Sequence, residues 1–299
     1  MAVSSGNFAE LLEPGLRRIY GQSYKDIPEE YSKVFNVETS TKAFEESLSL
    51  SGLGLAQVKA QGQGVAYEDF LQGYVSRLTH VAYGKGIIIT SEMWEDDQYK
   101  VIRALPKALA RSVRVTVEQV SANVLNRAFN SVYTGADVKE LCATDHPLLG
   151  GGTSRNELTT PADLSSTSLE QALIDIADFV DDKGMLIQAK GVKLIVPPEL
   201  DWTAKTLLHS SGDPESANRG DNPAKGSLSG GYMVYHYLTD PDAWFLSTDI
   251  PDGLIFYWKK RPVFTKDNDF DSDNAKWKVN LRMSVGWDDW RGIFGSPGA

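Results

Sequence analysis

Cys142 and His146 form a C-x3-H pair, the spacing of two ligands in a zinc site. A closed site needs four ligands, and no second pair exists: Cys142 is the sole cysteine, and His80, His209 and His236 lie in separate segments. The pair reads as a loop with an ordinary thiol and a surface imidazole. Asp145 and His146 beside one of many serines could be drawn as a triad, but no G-x-S-x-G elbow positions a nucleophile. P-loop, dinucleotide and HExxH motifs are likewise missing from the sequence. Asp267, Asp269, Asp271 and Asp273 repeat carboxylates at alternate positions, as a calcium loop does, without its central Gly or closing Glu. A solvated turn is the simpler reading. Arg219-Gly220-Asp221 spells an integrin-type tripeptide inside a polar loop, and coincidence accounts for it. Tyr and Trp near the C-terminus could stack on single-stranded nucleic acid, but they lie on an alternating strand, where core packing is the ordinary use. No catalytic, cofactor-binding or metal-ligating set is assembled. The expectation is a protein that is not an enzyme and holds no cofactor.

What the sequence does carry is long structural elements. Trp277, Val279, Leu281, Met283, Val285 and Trp287 alternate with Lys278, Asn280, Arg282, Ser284 and Gly286. This is a half-buried strand of roughly 36 Å. Its expected partner is Leu254–Phe264, across the acidic turn Lys266–Asn274. Leu105, Leu109, Val113, Val117, Val120, Val124 and Ala128 form one face of a helix running to Ser131, with Lys107, Arg111, Arg114, Glu118 and Arg127 off that stripe. Pro106 fits its first turn or a kink.

Between residues 48 and 90, glycines separate β-favouring runs. Gly73–Tyr83 and Ile87–Thr90 read as strands, and Gly62 and Gly64 mark a turn between Gln57–Gln61 and Val65–Tyr67. The picture is a long hairpin with little core of its own. Residues 1–47 read as an arm, broken by Pro14, Gly15, Gly21 and Pro28, with short helices at Phe8–Leu12 and Ala43–Leu48. Thr167 and Glu170 form a capping box for a helix ending at Gly184. Lys193–Val196 then forms a strand, Glu199–His209 a helix, and residues 210–230 a polar loop before strands at Tyr232–Leu238 and Trp244–Thr248.

The chain has 299 residues, a net charge of −10 and a pI near 5.0. That balance argues against an ordinary nucleic-acid binder, though not against a surface that lies near DNA without adhering. There is no signal peptide, membrane span or N-glycosylation sequon in the sequence, so it reads as soluble and intracellular.

The order of elements, with Ile88–Asp97 (IITSEMWEDD), Leu194–Leu207 (LIVPPELDWTAKTL) and Asp289–Ser296 (DWRGIFGS), resembles the tailed-phage major capsid protein of the Hong Kong 97 type. It is most similar to the Mu-like major head subunit family. The resemblance covers most of the chain from about residue 48. It implies an α+β fold with four parts: an arm (1–47), an extended β-hairpin loop (48–90), a discontinuous peripheral domain (91–134 and 251–299) and an axial α/β domain (135–250). The peripheral domain would contain the long spine helix and the long β-hairpin. The implied function is a structural head subunit that self-assembles, through hexamers and pentamers, into an icosahedral shell around phage DNA.

Lys59, Gly62, Gly64, Arg77, Arg219 and Asp221 are the expected assembly contacts. Lys59 lies near the hairpin tip, where one relative forms Lys–Asn isopeptide bonds, and is read here as an exposed lysine. The implied partners are other copies of the chain, a separate scaffolding protein, a portal and packaged double-stranded DNA, with no membrane. The implied location is the virion, after assembly in host cytoplasm. An encapsulin-like compartment, and a soluble hydrolase or binding module, are the alternative readings.

Overall fold

A computed structural model describes residues 8–90, 92–93, 96, 99–212, 220–268 and 274–299. Its centre is a four-stranded sheet in the order β1-β10-β11-β4. The members are β1 (Asn36–Thr39), β4 (Val81–Ile89), β10 (Leu254–Asn268) and β11 (Ala275–Trp287). β10 and β11 pair antiparallel, with Leu254 opposite Trp287 and Phe264 opposite Val279, so the expected hairpin forms and continues to Asn268 and Ala275. Register shifts lie between Trp258 and Val263, beside Pro262, whose missing N–H cannot join a ladder.

Trp277, Val279, Leu281 and Met283 are buried, and the intervening Lys278 and Asn280 are exposed, as alternation demands. The pattern changes at Ser284 and Gly286, which are also buried. A second layer covers the sheet there: a Cβ on Gly286 would stand 2.4 Å from Leu78.

Across the other face lie α1 (Phe8–Asp26) and α2 (Tyr99–Asn126). α2 contains Pro106 and, at 28 residues, runs about 42 Å. Leu109, Val113 and Val117 from α2 join Leu16, Tyr20, Phe256, Trp258, Trp277 and Val279 in one core. The expected stripe is present, but the helix starts before Leu105 and ends before Ser131. Arg114 and Glu118, placed by the stripe on the outside, are buried. Trp258 and Trp277 are buried too, so their rings form core and not a stacking platform.

A second sheet, ordered β12-β9-β7-β8, joins β7 (Gly191–Val196), β8 (Tyr232–Val234), β9 (Trp244–Thr248) and β12 (Ile293–Ser296). With α3 (Ser166–Ala177) and α4 (Asp201–His209) it encloses a separate core of Leu169, Ile176, Leu194, Val196, Leu207, Trp244 and Phe294. α3 is capped by Ser165, with Ser168 closing the box, and ends at Ala177, short of Gly184. β8 stops at Val234, shorter than expected. A small ladder joins β5 (His146–Pro147) to β6 (Thr153–Ser154).

Several local expectations give way. α1 runs through Pro14, Gly15 and Gly21, with Leu16 and Tyr20 packed on the core; burial of that face outweighs poor propensity. Ala43–Leu48 is not helical: β2 (Phe44–Leu50) pairs antiparallel with β3 (Gln72–Thr79). Gly73–Tyr83 is not one strand, because His80 separates β3 from β4, and β4 pairs with β11 in the main sheet. Gln57–Gln61 and Val65–Tyr67 form no ladder; residues 51–71 carry only a turn at 61–62. No described helix is long and apolar enough to cross a membrane.

Candidate assembly surface

The β2–β3 hairpin lies over the end of β11, with Leu78 against Gly286 and Ser76 Oγ donating to the Trp287 carbonyl, and carries residues 51–71 at its end. Ser51 closes the base, its N–H donating to the Leu71 carbonyl at 3.0 Å and its Oγ accepting from the Leu71 N–H at 2.9 Å. Glu68 accepts from the Gly54 N–H at 2.8 Å and from Lys183 Nζ at 2.6 Å, tying the segment to the loop after α3. Those two bonds, Lys183 first, lower the Glu68 carboxyl below its usual range. Beyond this clasp the chain is bare. Leu55, Val58 and Tyr67 are 81%, 102% and 95% exposed, with Leu53, Val65 and Phe70 exposed nearby. So many large apolar side chains on one segment mark a surface made to be covered.

The expected contact residues divide. Lys59 is exposed on this segment, Gly62 takes φ +85° in its turn, and Gly64 has open space around it. Arg77 is engaged within its own chain, 3.7 Å over the Phe44 ring and 3.6 Å from Glu46. Asp221 bridges Gly212, and Arg219 lies outside the described residues. Asp269, Asp271 and Asp273 are also outside them. Lys183 and Glu68 carry no local signal in the sequence, since the two charges are 115 residues apart.

The polar groups that suggested catalysis serve the framework. His146 is fully buried, not a surface imidazole: Nδ1 lies 2.6 Å from Asp137, Nε2 lies 3.0 Å from Asn156 Oδ1, and the ring stacks on Trp290 at 4.2 Å. Asn156 Nδ2 reaches the carbonyls of Leu141, Trp290 and Ile293 within 3.0 Å. Cys142 is buried, which pushes its thiol well up. Among the described residues no group of His, Cys, Asp and Glu is arranged to hold a metal ion.

Asp289–Ser296 locks this region. Arg291 donates to the Val180 carbonyl and to Asp182, each at 3.0 Å, and Gly292 lies so close to Gly253 that a Cβ would stand 2.3 Å from its Cα.

A second buried cluster holds the α1–β1 connection. Glu118 accepts from the N–H groups of Glu30 and Tyr31 at 3.1 and 2.9 Å, and the Tyr235 hydroxyl donates to its carbonyl at 3.2 Å. Burial pushes the Glu118 carboxyl up to about 7, against the pull of both N–H groups and of Arg114. Arg114 donates to Glu29 at 3.1 Å and lies 4.1 Å over the Tyr24 ring.

A helix–hairpin wall, a second α/β unit and a bare apolar segment at 51–71 define a subunit built for contact with copies of itself. A family model for phage capsid proteins matches residues 74–295. The chain belongs to the phage capsid protein family and is a structural subunit of the capsid shell, located in the virion. Its fold is that of Hong Kong 97-like capsid proteins. A virus-like particle from Pyrococcus furiosus aligns with a TM-score of 0.56 at 11% identity, covering 94% of this chain and 97% of that one. The capsid of cyanophage P-SCSP1u aligns at 0.54 and 10%, covering 91% and 88%. The bacteriophage JBD30 capsid aligns at 0.51 and 13%, covering 90% of this chain and 65% of that one. No curated protein matches the chain.

Proposed function

We propose that this chain is the major head subunit of a Mu-like phage or prophage. It forms hexamers and pentamers that close into an icosahedral shell around double-stranded DNA. Its contribution is architectural, without a catalytic step. Residues 1–47 serve as the arm, with α1 and β1 built into the wall, 48–90 as the extended loop, 91–134 with most of 251–299 as the peripheral unit, and 135–250 as the axial unit, whose sheet β12 completes. The observation that carries this reading is the bare apolar segment 51–71, whose exposed side chains need a neighbouring subunit to cover them. Within the extended loop, β4 roots in the wall sheet, so the reaching part is β2 to β3 and the segment between them. The net charge of −10 suits a wall beside dense DNA, since repulsion keeps the genome from adhering.

Assembly takes place in host cytoplasm, with a separate scaffolding protein and a portal as further partners. Expression of the chain, alone and with a candidate scaffolding protein, followed by electron microscopy, tests this. Closed icosahedral particles are expected. A stable monomer under every condition would refute the shell, and particles filled with protein cargo would favour the compartment reading.

A further inference from the structure

Both strands of the hairpin leave the main sheet at one place. β1 ends at Thr39 and β2 begins at Phe44; β3 ends at Thr79 and β4 begins at Val81. Ser40 and His80 occupy these two junctions, and both are buried. The His80 ring joins them to the wall: Nε2 lies 3.0 Å from Ser40 Oγ, and Nδ1 lies 2.9 Å from Ser284 Oγ on β11. His80 therefore ties both hinge points to the sheet they leave, beside the Ser40 N–H, which donates to the Trp258 carbonyl at 2.9 Å.

The polarity of these bonds follows from their neighbours. Glu45 is an ionised acceptor, its pKa lowered by Lys42 and then by Ser40, so Ser40 Oγ donates to it at 2.5 Å. Ser40 Oγ also accepts from the Lys42 N–H at 3.1 Å. Toward His80 it can only accept, which puts the ring proton on Nε2. Nδ1 is then bare and accepts from the Ser284 hydroxyl.

We propose that His80 is a proton-sensitive bolt: the neutral ring holds the hairpin at a set angle to the wall, and protonation of Nδ1 releases it. An Nδ1–H would meet the hydrogen that Ser284 donates, so a bond inside the sheet has to reverse. The groups facing the ring are Glu45 on β2, Tyr257 and Lys259 on β10 and Arg282 on β11. Glu45 favours the charged ring, whereas burial, Lys259 and Arg282 oppose it, with burial the largest effect, and the balance lowers the imidazole pKa. Lys259 Nζ also donates to the Thr41 carbonyl, which keeps its charge at the junction. The folded hinge thus prefers neutral His80, and acid favours the released form.

Other contacts hold the hairpin further along, among them Ser76 Oγ to the Trp287 carbonyl at 3.3 Å, Ser47 and Ser76 to the Asp288 carboxyl, Leu78 against Gly286, and the Glu68–Lys183 pair.

Hydrogen exchange on the unassembled full chain tests the bolt, with labelling times scaled for the intrinsic pH dependence of exchange. If the released ring titrates near 6.5 and the folded ring lower, opening rises from pH 8 to pH 5.5 by at most about tenfold. That increase is expected at the junction amides of Ser40 and Lys42, bonded to the Trp258 carbonyl and to Ser40 Oγ, because β2 and β3 protect each other at any hairpin angle. In H80Q the amide can donate to Ser40 and accept from Ser284 without titrating, so protection should stay high at both pH values. An equal rise in H80Q, or none in the native chain, overturns the proposal. Should H80Q unprotect the junction at every pH, nitrogen NMR of the native ring decides. A bare Nδ1 with a pKa below 6.5 supports the bolt, and a protonated Nδ1 or a higher pKa overturns it.

Discussion

Replacing Leu53–Phe70 with a short Gly-Ser bridge should leave a folded subunit that no longer builds shells. The bridge keeps Ser51 and Leu71, whose two bonds close the hairpin base. It removes Leu53, Leu55, Val58, Val65, Tyr67 and Phe70, which are 46% to 102% exposed and so contribute little to the subunit's own core. Covered by a neighbour, six such side chains supply about 9 kcal/mol, at roughly 1.5 kcal/mol each. Ordering and association offset much of this. If a third survives, about 3 kcal/mol is lost at every contact, on the order of a hundredfold in its association constant. A closed shell repeats that loss around its whole surface.

The folded subunit loses only the exposed Glu68 clasp, so its melting temperature should stay within about 4 °C of the native value. Calorimetry reads the melting temperature, and sedimentation with electron microscopy reads assembly. Normal shells from the shortened chain would refute the reasoning, and so would a collapse of the melting temperature. The wider deletion Ser51–Lys85 is a different experiment. It removes β3 and the first half of β4, which pairs with β11, and should unfold the subunit.

Glu118 links stability to pH. Between the ordinary carboxylate pKa and about 7 the folded chain keeps a proton that the unfolded chain has released, so stability falls as pH rises through that window and is flat above it. The expected fall from pH 5 to pH 8 is on the order of 1–3 kcal/mol. In urea titrations E118Q should lose a large part of that slope; half-buried Glu157, pushed up to about 7 by burial, and Asp288, also raised by burial, add to what remains, and His80, lowered by burial, works in the opposite sense; an unchanged slope in E118Q defeats the assignment. G292A places a methyl against the Gly253 backbone and should destabilise by about 1–3 kcal/mol, read in the same titration. Native stability in G292A would show that the two backbones separate freely.

The alternation of Trp277–Trp287 was enough to specify a long strand and its buried face, because a period of two is a property of the strand itself, and the run Leu254–Phe264 across the acidic turn supplied its partner. The four-residue steps from Leu105 specified the face that the long helix buries, and the segments at 88–97, 194–207 and 289–296 pointed to the capsid fold. Tertiary structure decided how 44–90 divides between arm and wall. His80 looks like one more residue in a β-favouring run; it becomes a junction because Ser40 and Ser284, distant in sequence, meet it there.

The same holds for Arg114 and Glu118. A helical stripe places them outside, and only the chain from Tyr24 to Tyr31 folding over them supplies the partners that make burial tolerable. His146 is buried because Asp137, Asn156 and Trp290 converge on it. Apolar periodicity is written locally, since each side chain needs only a face. A buried polar group needs particular donors and acceptors, and the fold alone brings them within 3 Å.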